Sequence, residues 1–150
     1  MRVAFFIQNT AMCNDWVIFT TFVINYGIDT MLEEEIGIIE SIDDFDIWAY
    51  IVAGYDFRGR LIIEYDYSDV NNHRNDYCQR AIIDADDVKT LSGRLSVSPH
   101  EIPSVIKEEL GSKAPVADIS TVRYAFKEIL LFIVEKGAQY KLETCYGERH

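Results

Sequence analysis

The alternation of apolar and polar positions is clearest between residues 47 and 67, "IWAYIVAGYDFRGRLIIEYDY". Two runs rich in β-branched and aromatic residues flank Asp56-Phe57-Arg58-Gly59, a turn sequence, so the segment predicts a β-hairpin. If Tyr55 pairs with Arg60, Trp48 lies opposite Tyr67, and one face of the hairpin is aromatic. We therefore expect six residues of this face in the core: Trp48, Tyr50, Val52, Ile63, Tyr65 and Tyr67.

Helical spacing dominates the second half of the chain. A helix is predicted after Asp84 or Asp86, and a second one over residues 102–110, whose first turn is distorted or separate because of Pro103. A third helix is predicted to end at Gly137. Asp118 or Ser120 is the predicted N-cap of the last helix. A Ser98–Glu101 capping box is expected before the second helix, and strands are predicted at 77–84 and 139–146.

The first forty residues give weaker signals. A short strand is predicted at 3–8, while residues 16–28 fit a helix and a strand nearly equally. Asp29 or Thr30 could cap a short acidic helix that carries Ile36 on its apolar side. The apolar run at 3–7 is too short for the core of a signal peptide, and 16–28 is too short to span a bilayer.

These elements predict one α+β domain over residues 1–150. Its mostly antiparallel sheet is centred on the 47–67 hairpin, and three or more helices pack on it. A hydrophobic content of 49% at this length is sufficient for a packed core. Composition therefore argues against disorder.

Charge is unevenly distributed along this chain, whose formal net charge is −11. Between Arg2 and Arg58 there are ten carboxylates and no Lys or Arg. Such a segment disfavours binding to nucleic acid or an anionic membrane and favours a basic protein partner. The predicted steering charges are Glu33, Glu34, Glu35, Glu40, Asp43, Asp44, Asp46 and Asp56. The predicted anchors of this interface are Phe45 and Tyr55.

Two alternative interpretations of the acidic segment stay open. The carboxylates could form a solvated face without a partner, or they could surround a pocket for a cationic molecule or metal in a small enzyme. His73, His100 and His150 have no second histidine at ligand spacing, and the acidic clusters do not match a calcium loop. No motif for a nucleophile or for phosphate binding occurs. We expect no enzymatic activity, no metal and no cofactor.

The stretch "LSGRLSVSPHEIPSVI" at 91–106 has the apolar spacing of a helix-turn-helix motif. Its second helix, however, contains Pro103 and carries Glu101, Glu108 and Glu109 against one Lys107. Phosphates would repel that helix, so DNA binding is not expected.

Cys13, Cys78 and Cys145 are far apart in the sequence, and their odd number is a poor disulfide framework. We expect reduced, partly buried thiols in a cytoplasmic protein.

Three stretches give the chain its character: the acidic segment 29–46, the aromatic hairpin 47–67, and the two-helix segment "DADDVKTLSGRLSVSPHEIPSVIKEELG". In this overall character the chain resembles the immunity proteins of bacterial toxin–immunity systems, including contact-dependent growth inhibition. The resemblance implies an acidic inhibitor that binds one basic toxin domain, commonly a nuclease. It rests on no motif, and it assigns no binding residues.

Overall fold

The computed structural model describes residues 32–41, 46–111 and 118–146; within β1 the side chains of residues 33 and 34 are not described. Five strands form one sheet in the order β1-β2-β3-β4-β5, and each neighbouring pair is antiparallel. An α+β fold with an antiparallel sheet is thus confirmed. The strands are β1 (Glu33–Glu40), β2 (Ile47–Tyr55), β3 (Leu61–Asp69), β4 (Tyr77–Ile83) and β5 (Lys141–Tyr146). The predicted elements at 3–8 and 16–28 lie outside the described residues.

Strand β1 replaces the short acidic helix predicted after residue 29, so that prediction is wrong. Its sequence "EEEIGIIE" contains three isoleucines, which favour extended backbone, and a glycine, which disfavours helix. Ile38 is buried in the core, and this tertiary packing stabilises the strand conformation of the segment. The pairing with β2 shifts register twice, between Glu33 and Ile36 and between Gly37 and Ile39.

The β2–β3 hairpin forms, but its register differs by one residue from the predicted one. Tyr55 pairs with Leu61, not with Arg60. The cause is Gly59, whose φ of 76° makes it an extra left-handed residue at the end of the turn. The Gly59 N–H donates to the Asp56 carbonyl, and the Asp56 N–H donates to the Arg60 carbonyl. This is a three-residue turn closed by a bulge, which the four-residue turn assumed from the sequence omits.

A shift of one residue exchanges the two faces of a strand. Ala49, Ile51 and Ala53 are therefore fully buried, while Trp48 pairs with Ser68 on the opposite face and is 50% exposed. The predictions that Trp48 and Tyr50 belong to the core are wrong, because both lie on the face opposite the helices. Tyr65 was correctly predicted as a core residue, because it lies opposite Ile51 on the buried face.

Three helices among the described residues contribute to the same core: α1 (Ala85–Leu95), α2 (Ile102–Ile106) and α3 (Ile119–Glu135). Leu91 of α1, Ile106 of α2 and Ile129 of α3 are completely buried. All the sheet residues in this cluster come from one side of the sheet, called here the helix face. As predicted, the turn before Pro103 is separate, a 3-10 helix at Pro99–Glu101.

The chain after α2 continues as a π-helical turn, Lys107–Gly111, which lies against β1. A Cβ atom at Gly111 would stand 2.5 Å from the backbone oxygen of Ile38. Only glycine permits this approach, and the contact places β1 against the helical layer.

Cys78 and Cys145 form a disulfide across β4 and β5, with their Cα atoms 5.2 Å apart. Reduced thiols were predicted for both, and that prediction is wrong. The two residues are direct partners in the β4–β5 ladder, a neighbourhood that a sequence separation of 67 conceals. Such bridges are typical of oxidising compartments, so the bridge counts against the predicted cytoplasmic location. No helix within the described residues is long and apolar enough to cross a membrane.

Candidate partner-binding surface

Strands β1 and β2 form one margin of the sheet, and the exposed residues of the acidic segment lie there. Glu35 and Glu40 in β1 are exposed, and so is Asp46, which directly precedes β2. Trp48 follows two residues later, half exposed. We call these four residues, Glu35, Glu40, Asp46 and Trp48, the β1–β2 surface.

Five further residues of the predicted interface give less information. The backbones of Glu33 and Glu34 belong to β1, and Glu33 pairs with Tyr55, but their side chains are outside the description. Asp43, Asp44 and Phe45 lie outside the described residues. Their predicted roles in steering and anchoring stay predictions.

Asp56 was predicted as an outward steering charge, but its carboxylate is turned into the protein. The residue is only 2% exposed. Its Oδ1 accepts hydrogen bonds from the backbone N–H groups of Arg58 and Arg60, both at 2.9 Å, and its Oδ2 pairs with Arg60 Nε at 2.7 Å. An aspartate at the start of a turn satisfies the backbone donors that follow it. Asp56 thus stabilises the hairpin and does not contribute to the β1–β2 surface.

Tyr55 was predicted as an anchor for a partner, and its contacts are internal. The ring is partly buried against the core, and its hydroxyl donates a hydrogen bond to the backbone oxygen of Pro99. This bond ties the end of β2 to the turn that precedes α2. Tyr55 therefore has a structural function in the described fold.

Trp48 is the surface residue that the sequence interpretation missed. A signal was present, because Gly59 at the fourth turn position is the usual glycine of a three-residue hairpin loop with a bulge. That loop moves Trp48 from the predicted core to the face opposite the helices. A half-exposed tryptophan beside carboxylates has the composition of a protein interface.

Two basic side chains of the later strands pair with acids outside the β1–β2 surface. Arg80 binds Glu64 across β3 and β4, with Nε and Nη2 at 3.0 and 2.5 Å from Oε2. Lys141 Nζ lies 3.7 Å from Glu143 Oε2. Neither β1 nor β2 contains Lys or Arg. Strands β1 and β2 therefore contribute carboxylates and no basic side chain to this surface.

The loop between β3 and β4 holds His73 in a network of hydrogen bonds. His73 Nδ1 is 3.2 Å from Asp76 Oδ2, and Asp76 Oδ1 accepts from the Asp69 N–H at 2.7 Å. Hydrogen bonds from the Asn75 amide, then from backbone N–H groups, lower the pKa of Asp69 below its ordinary value. These hydrogen bonds stabilise the conformation of the loop and give His73 a structural contact. In the described ranges no group of His, Cys, Asp and Glu side chains is arranged to hold a metal.

His100 lies in the 3-10 turn before α2 and is exposed. Ser98 Oγ bonds directly to Glu101 Oε2 at 2.7 Å and makes no side-chain cap to the backbone, so the predicted capping box is replaced by a pair of side chains.

A group of tyrosines packs on the helix face at the N-terminal half of α3. The rings of Tyr65 and Tyr77 stack at 5.8 Å, and Tyr65 contacts Phe126 at 5.6 Å. Burial, then Tyr77, raise the pKa of Tyr65 to about 12, while Arg123 opposes the shift. The neutral phenol is thus strongly favoured in the fold, as expected for a packed core residue.

Comparison with protein-family models, with curated proteins and with solved structures finds no match to this chain. The β1–β2 surface is the feature of the described residues that bears most directly on function.

Proposed function

We propose that this protein is an inhibitor of the immunity type, without enzymatic activity, that neutralises a basic toxin domain by binding it at the β1–β2 surface. The observation that carries the proposal is the combination of exposed carboxylates with a half-exposed Trp48 in strands without a base. Carboxylates attract a basic domain and accelerate its association. A tryptophan supplies the desolvated contact that holds the complex together.

Partners of other chemistry are less compatible with this surface. Nucleic acid and anionic lipid would meet Glu35, Glu40 and Asp46, and phosphates would be repelled. A nuclease domain has the opposite charge, because its own substrate is a polyanion. An inhibitor that presents carboxylates can therefore occupy the surface that the nucleic acid would use.

The proposal is tested by capturing a partner from a lysate of the source cells on the immobilised protein, eluting it with salt and identifying it by mass. We expect a basic domain, and its activity should be abolished by one equivalent of this protein. Trp48→Ala should weaken the complex by about thirtyfold or more, the loss typical of a central interface residue.

Tyr124→Ala is the matched control, because Tyr124 is a 62% exposed aromatic residue on α3, remote in sequence from β1 and β2. It should leave the affinity unchanged. Equal losses for Trp48→Ala and Tyr124→Ala, or a captured partner that stays fully active when saturated, would refute the proposal.

A further inference from the structure

A groove opens between β1 and β2, at the point where the β1 register shifts. It has a volume of about 180 Å³, and its described lining consists of Gly37–Glu40 and Tyr50–Val52. A space of this size holds several water molecules that a ligand could displace. Glu40, a residue of the β1–β2 surface, is part of this lining.

The chemistry of the groove comes from Glu40 and Tyr50, which are direct partners across the two strands. Glu40 is exposed and supplies a carboxylate. The Tyr50 hydroxyl donates to Asp66 Oδ2 at 3.1 Å, so the aromatic ring is held in place by a carboxylate that is itself buried. An aromatic ring beside a carboxylate, in a region of negative potential, is the environment that favours a cation.

Gly37 keeps the groove open. It pairs with Val52 on the face opposite the helices, and a Cβ atom built on it meets no atom within 4 Å. The absence of a side chain at residue 37 therefore creates free space instead of accommodating a crowded neighbour. A side chain at this position would occupy space in the groove, and its Cβ atom would meet no neighbour.

We propose that this groove receives an arginine side chain of the protein partner; the inference rests on the proposed function and names the partner's contact residue. A guanidinium is planar, so it stacks on the Tyr50 ring while it donates two parallel hydrogen bonds to the Glu40 carboxylate. A lysine ammonium is a compact and strongly hydrated charge that gains less from the ring. The groove thus discriminates arginine from lysine, whereas Glu35 and Asp46 attract both side chains by charge alone.

The test is a titration of the isotopically labelled protein with tri-arginine and tri-lysine peptides, both with blocked ends, followed by NMR. Tri-arginine should shift the backbone signals of Gly37–Glu40 and Tyr50–Val52 and should bind several-fold more tightly than tri-lysine. Glu40→Gln should lose about two- to fivefold of the arginine affinity, the effect of one exposed ion pair. Gly37→Leu should abolish these shifts.

Glu35→Gln is the control, because it removes the same charge from the same strand outside the groove lining. Equal affinity for the two peptides, or equal losses for Glu40→Gln and Glu35→Gln, would overturn the groove proposal. If Gly37→Leu fails to fold, Glu40→Gln decides alone. If the protein shows no preference for arginine but still binds a basic domain in a salt-dependent way, only the groove proposal is overturned. If tri-arginine binds as expected but no basic partner is captured, the groove proposal stands and the proposed inhibitor function is refuted.

Discussion

Reduction of the Cys78–Cys145 disulfide should lower the free energy of unfolding by up to about 4 kcal/mol. The bridge joins residues 67 apart, so the unfolded chain contains a loop of that length. A closed loop of this size loses about 15 cal/mol/K of conformational entropy, which is about 4 kcal/mol at 25 °C. The loop encloses all three described helices and most of β5, so its closure restricts nearly the whole second half of the unfolded chain. The total free energy of unfolding of a folded domain is about 5–15 kcal/mol, so this loss would be a large part of it.

The assay is denaturant unfolding followed by circular dichroism, with and without a dithiol reductant. Cys145→Ser should reproduce the effect of the reductant, and Cys13→Ser is the control because Cys13 does not take part in this bridge. Alkylation of the unreduced, denatured chain should modify one thiol, and alkylation after reduction should modify three. Three reactive thiols before reduction, or a reductant effect below about 1 kcal/mol, would refute the reasoning.

Three further predictions concern the described fold. Asp56→Ala removes the acceptor of two backbone N–H groups and the partner of Arg60, so it should destabilise the fold by about 2–3 kcal/mol in the same unfolding assay. Asp56→Asn retains an acceptor oxygen and should destabilise it by less; equal losses for the two variants would contradict the role of the acceptor oxygen. Hydrogen bonds hold the pKa of Asp118 and of Asp69 below the ordinary value, Asp118 chiefly through the Thr121 N–H and Asp69 chiefly through Asn75. A carboxyl group with a lowered pKa stabilises the fold above about pH 4, and this contribution is lost as pH falls through the native pKa. The melting temperature should therefore drop in acid, and it should drop less for Asp118→Asn. The same dependence of melting temperature on pH in this variant and in the parent would count against the cap. Gly111→Ala places a methyl group 2.5 Å from the Ile38 oxygen and should cost about 1–3 kcal/mol, measured by thermal unfolding, with a neutral result excluding the close contact.

The elements after residue 76 follow from local patterns, because their apolar spacing is regular and their ends carry recognisable residues. Asp118 accepts from the Thr121 N–H at 2.6 Å, as a helix cap should. Strand β1 could not be predicted in this way, since its four glutamates and one glycine outweigh the weak preference of its three isoleucines for extended backbone. Its conformation depends on the burial of Ile38 and on the space that Gly111 leaves, and both partners are distant in sequence.

The candidate surface was predicted in part. The acidic character of residues 33–46 follows from composition, and Glu35, Glu40 and Asp46 are exposed as expected. The two errors arise from the hairpin. Asp56 was counted with the outward acids although the turn buries it, and Trp48 was assigned to the core because one bulge residue was left out of the register.

The central claim, that exposed carboxylates at the β1–β2 surface attract a basic partner, is tested most directly by the salt dependence of binding. The captured domain should be titrated at several salt concentrations with the parent protein and with the triple variant Glu35→Gln, Glu40→Gln, Asp46→Asn. A second triple variant, Asp84→Asn, Glu109→Gln, Glu135→Gln, removes the same charge from exposed positions in or next to the helices. We predict weaker binding at low salt and a shallower salt dependence for the first variant, with parent-like behaviour for the second. The same affinity for all three proteins at low salt would contradict the account.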